Sequence, residues 1–288
     1  MNNGDDTDYY LKKGYRVIGI EANPDLCASC RQRFPDEIAR GDLIILNIGV
    51  GRAAGVLDFY LDTRQDTTST FVAQPNEDGR YKIMPIEVKK LSSVIAEYGF
   101  PHFVKIDIEG LDFAVLEELY LSGICPPYIS AEAHTIDVFC MLVCMGYDQF
   151  KVIESEQVHV KFDDHKIQDF DGKEFSHSFK HNSSGPYGDD FPSSWKHKND
   201  AIVQLASLET TWRDVHAKST RQAYLHQAKL DQAANPEEEI ELAYSYWRRY
   251  PDVAKDSHYG EFGSLGWQGA LRHYEAHGRH ENRRRWKA

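Results

Sequence analysis

From Gly14 to Ile153, short β-branched runs alternate with stretches whose apolar residues recur at helical spacing. The runs are YRVIGIE (Tyr15 to Glu21), DLIILNIGV (Asp42 to Val50), HFVKIDIE (His102 to Glu109), PYISAEAH (Pro127 to His134) and FKVIE (Phe150 to Glu154). Leu111, Val115 and Leu119, with Phe113 and Leu116 beside them, trace one face of a helix after the third run. Strands alternating with helices predict βαβ units and a mostly parallel sheet. The runs are nearly continuous in apolar residues, as a sheet covered on both faces requires. The fold class read from this pattern is α/β, a doubly wound domain.

Three segments depart from the pattern. Gly55 to Val88 alternates through Val56, Leu57, Phe59 and Tyr60 and carries the turn NEDG, which predicts an antiparallel strand pair and a loop beside the sheet. Residues 155 to 200 are rich in Gly, Pro, Ser, His and Asp, and a loop of that length is functional or disordered. Phe175, Phe179, Tyr187, Phe191 and Trp195 within it predict an ordered lid. After Ile202 the character turns helical: Leu205 to Ala234 has only Leu208, Trp212, Val215 and Leu225 as sparse apolar positions. Pro236 then opens a helix whose first turn holds Glu237, Glu238 and Glu239, where the helix dipole favours anions. A boundary near residue 205 separates a domain over 1–205 from a helical extension over 206–288.

Composition narrows the class. A chain of 288 residues, 41% hydrophobic and 12% aromatic, buries a substantial core and is not disordered throughout. No run approaches the roughly 20 apolar residues of a membrane-spanning helix. The start, MNNGDDTDYY, is the opposite of a secretory signal. Five cysteines, an odd number thinly spread, suit a reducing compartment, so a cytoplasmic location is expected. The net charge of −12 argues against a nucleic-acid partner. Cys27-x-x-Cys30 and Cys140-x-x-x-Cys144 have zinc-like spacings, but they fall in predicted helices after different strands and read as buried thiols.

The polar residues at strand ends carry the chemistry. NNGDDTDYY reads as a turn opening a helix, with Asp5 or Asp6 as its cap and Gly4 permitting close backbone approach to a ligand. In a doubly wound fold a strand precedes this turn at the ligand-binding switch point. Here the chain begins inside the turn, so that first strand is read as missing or truncated. Glu21 ends the next strand, where an acidic residue accepts ribose hydroxyls. Two aspartates stand where a dinucleotide's pyrophosphate would need G-x-G-x-x-G, which disfavours a nicotinamide oxidoreductase and favours a nucleoside without phosphates, S-adenosylmethionine. Lys105, Asp107 and Glu109 alternate onto one face of KIDIEGLDF, ahead of Gly110 and a helix. Glu132 and His134 end the following strand. Two carboxylates and an imidazole opening on one crevice can remove a hydroxyl proton or hold a divalent cation.

GYRVIGIEANP, ILNIGVG, HFVKIDIEGLDFAVLEEL, PPYISAEAH and the SSGPYGDD…W loop together resemble the FkbM-type S-adenosylmethionine-dependent methyltransferases. The resemblance covers residues 1 to about 205. The family's glycine turn reads approximately D-x-G-x-N-x-G-x-x-T; Asn2, Gly4 and Thr7 match its second half, while its strand, acidic residue and first glycine have no counterpart here. Either the sequence starts late or part of the methionine-binding floor is absent. The resemblance implies methyl transfer to a hydroxyl, usually on a sugar or polyketide, and the acceptor expected here is a sugar, glycan or glycolipid precursor. It implies cofactor contacts from Asn2, Gly4, Thr7, Glu21, Asn23, Asn47 and Asp107. The implied proton acceptor is His134, with Asp107 as competitor or metal ligand and Glu132 beside them. Glu109, Tyr187 and Trp195 are expected on the acceptor, the aromatics stacking on a sugar ring.

The last segment, YWRRYPDVA…GALRHYEAHGRHENR, resembles a short helical module attached to bacterial glycan-assembly enzymes. Its Arg and His cluster is expected to meet a partner protein or an anionic glycan, or to be a solvated basic tail on a helical cap. A rival from another class is a methyltransferase-fold binding module without activity, which the absent first strand favours.

Overall fold

The structure is a computed structural model and describes residues 1–76, 78–181, 183–208, 212–281 and 283. It divides into two compact units, Met1–Ala217 and Lys218–Ala288. The first extends past the boundary expected near residue 205 because a strand follows where a helix was expected. The end of the basic segment, at 282 and 284–286, lies outside the described residues.

In the first unit the strands are β1 (Val17–Ile20), β2 (Leu43–Leu46), β3 (Gly49–Val50), β4 (Gly55–Asp62), β5 (Tyr81–Lys89), β6 (Phe103–Ile106), β7 (Tyr128–Glu132), β8 (Gln149–Glu154), β9 (His165–Gln168), β10 (Glu174–His177), β11 (Lys196–His197) and β12 (Arg213–Lys218). The helices are α1 (Asp5–Lys12), α2 (Pro24–Arg33), α3 (Pro35–Arg40), α4 (Leu91–Tyr98), α5 (Asp112–Leu121), α6 (Ile136–Cys144), α7 (Val158–Lys161) and α8 (Lys198–Ser207). The unit is mixed α/β, with its strands in four sheets. β1 pairs in parallel with β2, Val17 opposite Leu43 and Ile20 opposite Leu46. The largest sheet runs β11-β8-β12-β7-β6, with β6 and β7 parallel. Among the described residues β1 pairs with β2 alone and β6 with β7 alone, so each keeps one edge without a strand partner.

Gly55 to Val88 folds as its alternation predicts: β4 and β5 pair antiparallel from Gly55–Val88 to Asp62–Tyr81, and β3 joins β5 in parallel. Asp62, 3% exposed at the end of β4, accepts two bonds from Arg80 and one from Thr68, which ties the intervening loop shut. These bonds hold the Asp62 carboxyl well below its ordinary range.

The core of the unit gathers Ile106, Val115, Leu116, Leu119, Ile129, Phe139, Leu142 and Phe150, the apolar positions of the predicted strands and helices. β12 was not anticipated. RDVHAK reads as part of a polar helix, yet Asp214, Val215, His216 and Ala217 are all buried between β7 and β8. Among the described residues neither nitrogen of the His216 ring has a hydrogen-bond partner, and burial, then the charges of Lys151 and Lys105, push its pKa down to about 3. The unfolded chain protonates this ring below about pH 6.5 whereas the folded protein does not, so the unfolded state binds more protons. Stability should therefore fall as pH drops from about 6.5 towards 3, by up to about 1.4 kcal/mol per pH unit from this residue. Urea unfolding of a His216→Leu variant between pH 6.5 and 4 should show a shallower acid slope than the native chain; an equal slope would refute it.

The described residues from 155 to 200 are built into the body of the unit, and of this segment Ser183 lines the cavity described below. β9 and β10 form a hairpin, and Phe179, Tyr187 and Phe191 are buried with Tyr9, Phe162 and Ile167 in a second core. Lys151, 3% exposed, donates to the carbonyls of Gly188 and Phe191 at 2.8 and 2.9 Å and anchors the segment from below.

The second unit is helical: α9 (Thr220–Leu230), α10 (Pro236–Arg249), α11 (Pro251–Ala254) and α12 (Gly269–His273). Pro236 opens α10 as predicted, with Glu237–Glu239 in the first turn and Arg248 and Arg249 in the last. Its core is aromatic: Tyr246 and Trp247 are buried, Trp247 Nε1 donates to the Tyr259 carbonyl at 2.9 Å, and Arg283 makes two bonds to Asp252. No described helix is long and apolar enough to cross a membrane.

Candidate active site

A cavity of about 890 Å³ opens in the first unit. The whole of β1 and the whole of β6 line it, continuing to Glu21 and to Glu109, so the two strands that lack a second partner border the same space. Leu91, Val94, Ile95 and Tyr98 of α4 form an apolar wall, and Phe59 and Phe71 of the inserted hairpin and loop form another. The carboxylates of Asp5, Asp6, Glu21, Asp107, Glu109 and Glu132 line it, with His134 beside them.

Glu21 stands just past the end of β1 and is already engaged. Its Oε2 accepts from the Asn2 backbone N–H at 2.8 Å and lies 3.4 Å from the Met1 ammonium; its Oε1 accepts from the Asn23 N–H at 2.9 Å. This clamps the Met1–Gly4 turn to the strand end, and among the described residues Oε1 accepts one bond.

The opposite end is built on β6 and β7. Glu109 and Gly110 both take left-handed backbone, φ 50° and 95°, so the chain turns sharply after the strand. Thr70 Oγ1 donates to the Glu109 carbonyl at 2.7 Å, which fixes that turn from the inserted loop. Lys105 Nζ bridges Asp107 at 2.9 Å and Asp6 at 3.0 Å, and Asp6 in turn accepts from Ser183. Burial works to lift the Asp107 carboxyl, but the Lys105 charge and hydrogen bond outweigh it and keep the pKa below the ordinary value. The carboxyls without such a partner move the other way. Burial, then the charges of Asp107 and Asp112, push Glu109 up to about 7. Burial, then Asp107, Glu109 and Asp214, push Glu132 up to about 9. His134 Nε2 lies 3.0 Å from Glu132 Oε2, with its side chain 43% exposed.

A family model, the methyltransferase FkbM domain, matches residues 1–180. The chain belongs to this family. Among solved structures it is similar to the crystal structure of methyltransferase FkbM from Methylobacillus flagellatus KT, at 15% identity and a TM-score of 0.37. That likeness covers 52% of this chain and 38% of the other, so the chain spans under half of that protein's length. A comparison with curated proteins finds no match.

In this FkbM-family chain the cavity brings together Asn2, Thr7, Glu21, Asp107, Glu109, Glu132 and His134 of the residues expected at the site. Others serve the frame. Gly4 does not line the cavity: a Cβ there would sit 2.7 Å from the Phe34 ring, so the close approach that requires glycine is that of a side chain. Gly4 itself is the N-cap of α1; Asp5 instead meets Asn3 and Arg33, and Asp6 meets Lys105. Asn23 caps α2 by accepting from the Asp25 N–H, and Asn47 donates to the carbonyls of Glu21 and Ala22. Tyr187 is not available to a sugar ring: it is stacked on Phe103 at 4.2 Å and buried among Tyr10, Tyr15 and Tyr128. Trp195 lies outside the cavity as well, donating to Asp189 with Lys151 over its ring. Cys27 and Cys30 are buried, as expected, whereas Cys140 and Cys144 are exposed on α6.

Asp6 and the Thr67–Ser69 stretch were not anticipated at the cavity, nor was Asp214, whose charge acts on Glu132 from outside the lining. Asp214 sits on the unforeseen strand, hydrogen-bonded to Ser155 at 2.9 Å. Thr67, Thr68 and Ser69 reach the cavity only because the Asp62–Arg80 clamp folds their loop over it. No local spacing signals that placement.

Proposed function

We propose that the chain is an S-adenosylmethionine-dependent O-methyltransferase that acts on a hydroxyl of a sugar, glycan or glycolipid precursor, on a Rossmann-like sheet. The observation that carries this reading is the acidic lining of one cavity at both ends, by Glu21 beside β1 and by Asp107, Glu109 and Glu132 with His134 beside β6 and β7. The cavity volume falls within the range of small-molecule sites, and carboxylates suit a ligand carrying a sulfonium and an ammonium while repelling a pyrophosphate. Glu21 Oε1, with one acceptor position left, suits a ribose hydroxyl, and the apolar walls suit an adenine ring. When bound, the cofactor supplies an electrophilic methyl group on sulfur.

The residues of this chain then orient the acceptor and take its proton. Glu132 holds its own proton at neutral pH, which leaves His134 Nε2 as the open acceptor beside it. Were S-adenosylmethionine held there, the acceptor oxygen would take its methyl group with the sulfur leaving as a thioether, and the proton of that oxygen would pass to His134 Nε2. Alignment of oxygen, carbon and sulfur supplies much of the rate.

Calorimetry with S-adenosylhomocysteine tests the cofactor. The native chain should bind it, and Glu21→Ala should weaken binding by about tenfold or more, about 1.4 kcal/mol. Binding unchanged in that variant removes the ribose role. One observation favours the second reading, an inactive module: the backbone N–H groups of Asn2 and Asn23 already engage the Glu21 carboxylate. Absence of any binding by the native chain would establish that reading instead.

A further inference from the structure

Glu109, Glu132 and His134 each offer a ligand atom, and these atoms all lie within 4.8 Å of one another. Two features separate this cluster from an ordinary group of surface acids. Glu132 is 4% exposed, yet its Oε2 has no hydrogen-bond partner among the described residues. A buried polar atom left so costs free energy unless a ligand meets it. His134 Nε2 lies 3.0 Å from that same oxygen without the alignment of a hydrogen bond, so two potential ligand atoms stand side by side. An octahedral ion with bonds of about 2.1 Å sets neighbouring donors about 3.0 Å apart and opposite donors about 4.2 Å apart. The Glu132–His134 separation has the first value, and the carboxyl of Glu109 lies within 4.8 Å of both, so its side chain moves inward to complete the set. The backbone carrying Glu109 is held for this by its left-handed turn and by Thr70.

We propose that Glu109, Glu132 and His134 bind one divalent transition ion, and that its open positions take the acceptor hydroxyl. Two carboxylates and one imidazole suit Mn²⁺, Fe²⁺ or Zn²⁺ better than Ca²⁺. Three protein ligands leave room for substrate oxygen. The acceptor part rests on the methyl-transfer reading; the ion site stands without it. With the ion in place His134 ligates through its ring nitrogen instead of taking a proton. Both carboxyls are then ionised, so loading releases protons. A hydroxyl ligated to such an ion loses its proton more readily, and that proton leaves to solvent. The bonds made and broken are those already given.

The full chain, stripped with a chelator, is titrated with Mn²⁺ while the paramagnetic resonance signal of the free ion is followed. One Mn²⁺ per chain is expected. Its affinity should fall by about tenfold or more in Glu132→Gln and in His134→Ala, and stay unchanged in Glu237→Gln on α10. His134 is partly exposed, so its removal leaves the fold intact even if Glu132→Gln does not. No saturable binding, or equal affinity in all the proteins, overturns the site. S-adenosylhomocysteine is titrated alongside without metal. Mn²⁺ bound without it keeps the ion site and overturns methyl transfer, and the reverse result overturns the ion site alone.

Discussion

A Lys105→Met variant should lose about 3 kcal/mol of stability at pH 7 and melt about 6–12 °C below the native chain. Nζ lies within 3.0 Å of both Asp6 and Asp107, and its charge also acts on the buried Asp214. Methionine keeps the length of the side chain and removes the charge, so packing changes little and three carboxylates lose their counter-ion. Breaking one side of a buried pair is costly because the remaining charge is stranded. Asp6 and Asp107 are 14% and 28% exposed, which places the loss at the lower end of that range. The sign of the pH dependence separates this cause from lost packing. Without Lys105 burial alone acts on the Asp107 and Asp214 carboxyls and lifts them above their unfolded values, so the folded state binds more protons and regains stability as pH falls. The deficit should therefore shrink between pH 7 and pH 5. A melting temperature within about 2 °C of native, or a deficit independent of pH, would contradict the account.

A His134→Ala variant should turn over methyl groups about 10²–10⁴-fold more slowly while binding S-adenosylhomocysteine as the native chain does. The imidazole ends the segment after β7 beside Glu132 and Glu109, whereas the residues suited to the nucleoside lie on β1 and its following turn. The loss is expected whether Nε2 takes the hydroxyl proton or ligates an ion that acidifies it. A weakened affinity for S-adenosylhomocysteine would place His134 on the cofactor. Unchanged turnover would remove it from the reaction.

The elements that place these residues were legible because they rest on local pattern. β1, β2, β6, β7 and β8 lie within the apolar runs of the sequence, and Glu21, Asp107, Glu109, Glu132 and His134 follow those runs at strand ends. Gly55 to Val88 was legible for the same reason, since a two-residue alternation specifies a half-buried hairpin. β12 was not: all four residues from Asp214 to Ala217 are buried, two of them ionisable, so neither period appears and the polar side chains imitate a surface helix. Tyr187 and Trp195 mark the other limit. Their aromatic character announced an ordered segment, but a ring's preference for burial is equally met by a core and by a ligand.

Residue order along the chain determined the α/β class, the family, and the strand ends where charge collects, because those depend on periodicity and on short motifs. Tertiary structure alone decided which charges have partners. Lys105 reaches Asp6 across almost a hundred residues and holds Asp107 ionised, while Glu132, at an equivalent strand end, meets no lysine or arginine among the described residues and is pushed up by burial. Desolvation and pairing are properties of the packed neighbourhood, and contacts so distant along the chain leave no trace in local spacing.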